Sequence, residues 1–208
     1  METWNDSRLS RQIAFLAEAD KLKNVLRRTL LMDGSRRENT AEHSWHISLM
    51  AMTLHEYAPE PKPDLTRVLK LLLVHDLVEI DAGDTFAYDA SGYEDKEERE
   101  AAAARRIFGL LPDEQAEEIM ALWREFEDGE TPEALFAAAL DRMQPLLHNY
   151  MTDGFSWKQN GIVRSQVRAR MKPIYRASPK LAEFVEELLQ RAVDRGYLTD
   201  GDDSPKEE

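Results

Sequence analysis

Three ionisable residues, His75, Asp76 and Glu79, sit inside the largely apolar core of a stretch that runs from Val68 to Asp84 and reads VLKLLLVHDLVEIDAGD. Leu69, Leu71, Leu72, Leu73, Val74, Leu77, Val78 and Ile80 surround them, and a helix that is apolar all round belongs in the interior of a domain. Burying such groups is costly unless something pairs with them, and a metal ion suits a His and a carboxylate together. On a helix His75 and Glu79 share a face and Asp76 stands three residues before Glu79, so all three look toward one point. The first expectation is therefore a metal site in the core of a helical domain, built on one continuous helix.

Further donors must come from elsewhere in the chain. Its five histidines are His43, His46, His55, His75 and His148. His43 and His46 lie three apart on the preceding helix, which the short Pro59-Glu60-Pro61-Lys62-Pro63 connector makes an antiparallel neighbour of the central one. One of the two faces it. The first-turn position of His43, beside Glu42, favours His43, with His46 left to pack or to hydrogen-bond nearby. A carboxylate is offered by Asp141, which closes the apolar run FAAALD in the middle of a later helix. Its alternative is an ion pair with Arg142. Pro145 cannot donate to the carbonyl of Asp141, so a bend is expected at that turn.

The elements that must position these residues read as helix after helix. Leu9, Ile13, Leu16, Leu22, Val25 and Leu26 recur at helical spacing from Ser7 to about Arg28. After the polar loop Asp33 to Glu38, Asn39-Thr40-Ala41-Glu42 has the form of a capping box opening a helix to about Tyr57. Asp64 is placed to cap the central helix. Thr85 to Asp95 reads as a surface loop, either a lid over a site or a plain connector. Helices follow over Lys96 to Leu110 and from Pro112-Asp113 to about Glu127. Thr131-Pro132 and Ser178-Pro179 each combine a cap with proline at the first helical position, the latter opening a last helix that ends at Gly196. No strand with convincing alternation is found. The expected fold is all-α, a single-domain helical bundle over residues 1–198 with its core at about 15–150, followed by an acidic, disordered tail at 199–208.

Composition limits the chemistry. A chain of 208 residues with 42% hydrophobic content fits one domain with a large core. The absence of Cys excludes disulfides, thiolate metal sites and cysteine nucleophiles, and it fits a reducing cytosol. Any metal must take nitrogen and oxygen donors. The start METWNDSRLSRQ has no apolar run of the signal-peptide kind, and no stretch approaches the ~18 apolar residues that span a bilayer, so a cytoplasmic protein without a membrane partner is expected. A net charge of -13 disfavours a nucleic-acid polymer, which is bound through a positive field. A small anion remains possible where a few Arg converge.

His43, then His75-Asp76, then Asp141 resembles the H…HD…D signature of the HD-domain metal-dependent phosphohydrolases. The segment RRENTAEHSWHISLMA, with HDLVEIDAGD downstream and LLP and EFE beyond, is similar to the branch holding bacterial 5'-deoxynucleotidases of the YfbR type and their eukaryotic HD-containing-2 relatives. The resemblance covers Phe15 to about Asn149. It implies an all-helical fold and one divalent ion (Co, Mn, Mg, Ni, Fe or Zn) held by His43, His75, Asp76 and Asp141. It implies catalytic parts for Glu79 and Asp84 and a phosphate contact for Arg28, and it points to a homodimer. The chain departs from the bacterial nucleotidases at Thr29, where a Trp stands beside that Arg, which puts base and sugar selectivity in question.

Physical chemistry supports these roles independently. Two imidazoles and two carboxylates leave positions on a six-coordinate cation for water and a phosphate oxygen. Glu79, one turn past His75, is placed for proton transfer, with Asp84 a candidate to share it. Arg28 would give the phosphate bidentate bonds; Arg36 and Arg37 are further candidates whose alternative is a solvated loop. The expected function is release of phosphate from nucleoside 5'-monophosphates, deoxy forms foremost. A guanosine-tetraphosphate hydrolase is the second choice, because that group carries HD-x-x-ED whereas Ile80 follows Glu79 here. A non-catalytic, metal-stabilised binding module is the third, and the extra carboxylate of Glu79 argues against it. Trp45, Trp123 and Phe126 read as core or subunit contacts, and the Glu94 to Glu100 charge run as a solvated face.

Overall fold

The computed structural model of the chain describes residues 7–89 and 91–201. Helix α1 (Arg8–Ala19) starts where Ser7 accepts a hydrogen bond from the Ser10 amide, and a short 3-10 turn over Asp20–Asn24 follows it. The chain then extends into β1 (Leu26–Leu30), which pairs antiparallel with β2 (Arg37–Asn39) around the turn at Gly34. This corrects the expected helix from Ser7 to about Arg28: the two ends differ because Arg28-Thr29 can pair with Glu38, and helical spacing of Val25 and Leu26 cannot reveal a partner strand eleven residues on. Among the described residues the two strands are the whole of the sheet structure, so the fold is all-α with one small hairpin.

Asn39 ends β2 and also caps α2 (Thr40–Leu54). Its side chain accepts from the Glu42 amide and the Glu42 carboxylate accepts from the Asn39 amide, the reciprocal box read from the sequence. Helix α3 (Leu65–Val74) starts at Asp64, whose carboxylate accepts from the Thr66 amide. The central helix does not continue to Asp84 as expected. It stops at Val74, and α4 (Glu79–Ala82) begins after a turn. The His75 ring is the physical reason: Nδ1 donates to the Leu72 carbonyl at 2.9 Å, the acceptor that a continuing helix would offer to the Asp76 amide. Tighter bonds follow, from Leu77 N to Val74 O and from Glu79 N to Asp76 O. Gly83, at φ +74, then reverses the chain so that Asp84 returns toward His75, a backbone conformation that a side chain disfavours.

The remaining helices are α5 (Lys96–Phe108), α6 (Asp113–Asp128), α7 (Pro132–Met151), α8 (Phe155–Gln159), α9 (Arg164–Arg170), α10 (Lys172–Ala177) and α11 (Pro179–Asp194). Thr131 and Ser178 cap α7 and α11 through their hydroxyls, with proline in the first turn of each. Helix α7 is the axis of the molecule. It packs against α2, α3, α6, α10 and β1 and runs on through Pro145, burying Phe136, Ala137, Leu140 and Leu146 against Val68, Leu71 and Leu72 of α3. Trp123 and Phe126 are core residues, whereas Trp45 lies exposed. No helix among the described residues is long and apolar enough to cross a membrane. The expected disorder at 199–208 falls largely outside the described residues.

Candidate active site

Four of the residues singled out in the sequence meet at one point, brought from three directions. His43 comes from the first turn of α2, His75 and Asp76 from the turn after α3, and Asp141 from the middle of α7. His43 Nε2 stands 3.0 Å from Asp141 Oδ1 and 3.8 Å from Asp76 Oδ2; His75 Nε2 stands 3.1 Å from Asp76 Oδ2 and 3.9 Å from Asp141 Oδ1. His43 and His75 are both buried, as is Asp141. His46, the other candidate on α2, is turned away toward Gln144 and His148. Asp141 serves both readings at once: Oδ1 faces His43, and Oδ2 accepts from Arg142 at 2.7 Å.

The donor set fits a divalent cation. Nitrogen and oxygen atoms of His43, His75 and Asp141 lie within 4.8 Å of one another, and His75 Nε2 is buried with no hydrogen bond even though Asp76 Oδ2 is near. An imidazole nitrogen left bare inside the protein, aimed where two carboxylates converge, is costly unless a cation takes it. His75 Nδ1 is committed to the Leu72 carbonyl, so Nε2 is the nitrogen it can offer to a cation.

Arg27 occupies the centre of the carboxylate group. Nη1 is 3.1 Å from Asp76 Oδ2 and 3.7 Å from Asp84 Oδ1, and Nε is 3.8 Å from Glu38 Oε2. Charges are sorted accordingly. Burial alone would raise the Asp76 carboxyl, but His75 and Arg27 hold it at about 2; Asp141 is likewise held well below the usual range, chiefly by Arg142. Burial and the neighbouring Asp76 push Glu79 well above the usual carboxylate range, and Asp84 is raised in the same way. The site thus favours the ionised form at Asp76 and Asp141 and the protonated form at Glu79, which accepts from Thr40 Oγ1 at 2.9 Å. Pairs of groups pushed apart in this fashion mark acid and base assignments.

These residues line the inner end of a cavity of about 290 Å³. Its walls are partly aromatic, with Phe86, Tyr88, Tyr93, Phe126 and Trp157, and partly basic, with Arg28, Lys96, Arg142 and Arg170. Phe126 also tilts against the His75 ring at 4.6 Å between centroids. Phe86, Tyr88 and Tyr93, from the stretch after Asp84, belong to this wall. Arg28 sits at the rim with its guanidinium 5.2 Å from the Phe86 ring centroid. Arg36 and Arg37 do not line the cavity: both are exposed, and Arg36 makes a bidentate pair with Glu42 at 2.9 and 2.5 Å.

Sequence reading passed over Arg27, Arg142 and Arg170. On β1 the inward positions are Arg27 and Thr29, while Leu26 and Arg28 face outward. That is the reverse of the usual hydrophobic alternation, so no pattern favoured Arg27. Arg142 was weighed only as a surface partner of Asp141. Arg170 arrives from α9, 29 residues beyond Asp141, and nothing local to it signals the site.

Known proteins with the same features place the chain. The 5'-deoxynucleotidase HDDC2 of Danio rerio is 31% identical over 145 residues, 68% of this chain and 70% of that protein. Its Homo sapiens counterpart is 31% identical over 136 residues, 65% of each. The chain thus spans about two thirds of the length of these relatives. A crystal structure of a predicted metal-dependent phosphohydrolase from Magnetospirillum magnetotacticum MS-1 is 53% identical, with a TM-score of 0.89 over 96% of this chain and 100% of that one. The HD domain model matches residues 19–182, a span that takes in all three arms of the metal cluster together with Arg27 and Arg170, and on that ground the chain belongs to the HD domain family.

Proposed function

We propose that the protein is a divalent-metal-dependent phosphomonoesterase that releases phosphate from nucleoside 5'-monophosphates, with deoxy forms preferred. The observation that carries this reading is the bare, buried Nε2 of His75 beside Asp76, Asp141 and His43, at the closed end of a cavity whose walls are both basic and aromatic. A cavity of this kind suits a phosphate joined to a flat base. The relatives named 5'-deoxynucleotidases support the substrate class.

His43, His75, Asp76 and Asp141 would hold the cation, which when bound supplies Lewis acidity toward a phosphate oxygen. The residues of the chain do the rest. Arg142 and Arg170 neutralise the phosphate and fix its orientation, with Arg28 at the rim. Water adds to phosphorus, the bond from phosphorus to the ester oxygen breaks, and the leaving 5'-oxygen takes the proton that burial keeps on Glu79. The carboxylate of Asp84 lines the same cavity and receives the proton that water gives up; passing that proton on to Glu79 restores both groups. Phe86 and Tyr88 close over the substrate and exclude bulk water. The same reading takes the protein as a cytosolic homodimer. In its favour, the chain has no Cys, and Trp45, Leu49 and Met52 leave an apolar stripe exposed on α2.

The test is phosphate release from a panel of deoxy- and ribonucleoside monophosphates, guanosine tetraphosphate and unrelated esters, with Co, Mn, Mg, Ni and Zn in turn. Release from deoxynucleoside monophosphates that stops on chelation is the expected result. No release under any metal sinks the enzyme reading, and activity that survives Asp76→Ala sinks the site.

A further inference from the structure

Behind His43, on the side away from the carboxylates, lies a second buried polar group. Glu38, His46 and His148 offer atoms within 4.8 Å of one another, the spacing of a metal site. The centre of that group is already filled. Gln144 Nε2 stands 2.5 Å from Glu38 Oε1, 3.0 Å from His148 Nε2 and 3.4 Å from His46 Nδ1. An amide nitrogen that donates to two acceptors leaves no place for a cation, so the group is a hydrogen-bond network and its output must be sought at the other end of Gln144.

Donor and acceptor roles along this network follow from one backbone atom. His148 Nδ1 lies 2.8 Å from the Leu30 carbonyl on β1, and a carbonyl only accepts, so Nδ1 carries the hydrogen. Burial lowers the pKa of His148 to about 4, which keeps the ring neutral and leaves Nε2 as an acceptor. Gln144 must then present its NH2 to His148 and Glu38. The reversed amide would set its oxygen against the lone pair of His148 Nε2, whatever the charge on Glu38, whose carboxyl burial raises to about 7. Gln144 Oε1 is consequently turned to His43 Nδ1, at 3.1 Å. An oxygen in that place requires a hydrogen on Nδ1, so the lone pair of His43 sits on Nε2, the nitrogen facing Asp141 and Asp76. Thr29 is buried and reaches Glu38 Oε2 at 3.5 Å, tying the same strand in a second time.

We propose that Gln144 is a positioning residue for the metal site, transmitting the fixed polarity of the Leu30 carbonyl through His148 to set His43 in the tautomer whose Nε2 is free to bind a cation. The proposal rests on the reading of His43 as a metal donor, and its test separates the two. Nitrogen-15 NMR of the histidine rings in metal-free protein reads the tautomer directly, and calorimetric titration with Mn2+ reads affinity. Wild-type protein is expected to carry the hydrogen on Nδ1 of His43. Gln144→Leu keeps the volume, so that no cavity opens among Glu38, His46 and His148. It is expected to move hydrogen onto Nε2 and to weaken Mn2+ binding by about 10- to 100-fold, the range for removing a partner behind a metal-binding His. Gln144→Glu sets a second carboxyl against Glu38, and because two carboxylates at that distance do not both ionise it keeps a proton to donate where the amide did. It retains an oxygen toward Nδ1 and is expected to keep both the tautomer and an affinity within a few-fold of wild type. Hydrogen on Nε2 in wild-type protein overturns the proposal, and that measurement needs no variant to fold. So does a Gln144→Leu protein with unchanged tautomer and affinity, or a Gln144→Glu protein as weak as Gln144→Leu with Nδ1 still protonated. Wild-type protein that binds no Mn2+ overturns instead the metal reading, while its tautomer still decides the orientation of Gln144.

Discussion

Arg27 Nη1 lies 3.1 Å from Asp76 Oδ2, inside the cluster that is built to hold a cation. Its guanidinium is buried among Asp76, Asp84, Glu79 and Asp141, all of which hold it firmly in the charged form. Arg27 therefore serves the carboxylates as a resident counter-charge. Removing one partner of a buried pair costs roughly 3–5 kcal/mol, because the other is left uncompensated. A divalent ion can take over that role. Arg27→Met is accordingly expected to lower the unfolding temperature of chelator-treated protein far more than that of Mn2+-loaded protein. Thermal unfolding of both proteins with and without chelator checks this, and an equal loss under the two conditions refutes it.

Glu79 separates catalysis from metal binding. Its Oε2 accepts from Thr40 Oγ1 at 2.9 Å, and burial with Asp76 beside it keeps the carboxyl protonated. Gln has the same shape and can accept that bond through its oxygen, but it has no proton to give to an alkoxide. Glu79→Gln is expected to lower kcat by roughly 10²- to 10⁴-fold, the usual contribution of a positioned acid, while KM and Mn2+ affinity stay within a few-fold of wild type. Steady-state kinetics alongside metal titration decides the matter. A kcat within a few-fold of wild type assigns Glu79 a purely structural part.

The sequence made the cluster legible because its donors sit in places where polarity has no other explanation. His75 and Asp76 interrupt an apolar helix, and Asp141 ends the run FAAALD. The caps at Asn39, Asp64, Thr131 and Ser178 were equally readable, since each depends on residues within three positions of itself. What escaped was non-local. The strand at Leu26–Leu30 exists through its pairing with Arg37–Asn39, and that pairing, more than residue type, turns Arg27 inward and Arg28 out. The break after Val74 depends on a ring nitrogen taking a backbone carbonyl, which helical periodicity does not register. Gln144 carries no charge and sits in a helix, so only the coordinates show its two ends facing different histidines.

Arg170 makes no ion pair among the described residues, although it is largely buried in the wall of the cavity beside Arg142. Burial and Arg142 lower its pKa, while Tyr93, with its ring centroid 6.0 Å from the guanidinium, offsets part of that strain. Two adjacent guanidinium groups without a carboxylate for one of them make a ready place for an anion. Arg142 also binds Asp141, so its loss would disturb the metal cluster; Arg170 gives the cleaner test. A charge-assisted hydrogen bond contributes about 1.5–3 kcal/mol, so Arg170→Met is expected to cut kcat/KM about 10- to 100-fold with no loss of Mn2+ affinity. Arg170→Lys restores charge without the planar fork and is expected to recover only part of the loss. If Arg170→Met stays within twofold of wild type, the phosphate is held elsewhere.

His148 gives the fold a pH dependence of defined sign. It is buried with Nδ1 donating to Leu30 O, and it faces Gln144 Nε2 at 3.0 Å, His46 Nδ1 at 3.5 Å and Glu38 Oε1 at 3.8 Å. Burial takes its pKa from the ordinary 6.5 down to about 4, so the folded protein resists a proton that the unfolded chain accepts. Stability from the neutral ring is complete above pH 6.5 and is lost as pH falls toward 4. At roughly 1.4 kcal/mol per pH unit the full loss is at most about 3.5 kcal/mol. His148→Gln stays neutral throughout, and the Gln oxygen can accept in place of Nε2. The stability of wild type relative to His148→Gln is therefore expected to fall by up to that amount between pH 6.5 and pH 4. Urea unfolding across this range, with chelator present so that metal-linked stability does not enter, provides the measurement. A difference that stays constant with pH means that His148 is protonated as readily in the folded protein as in the unfolded chain, and the neutral ring invoked behind Gln144 goes with it.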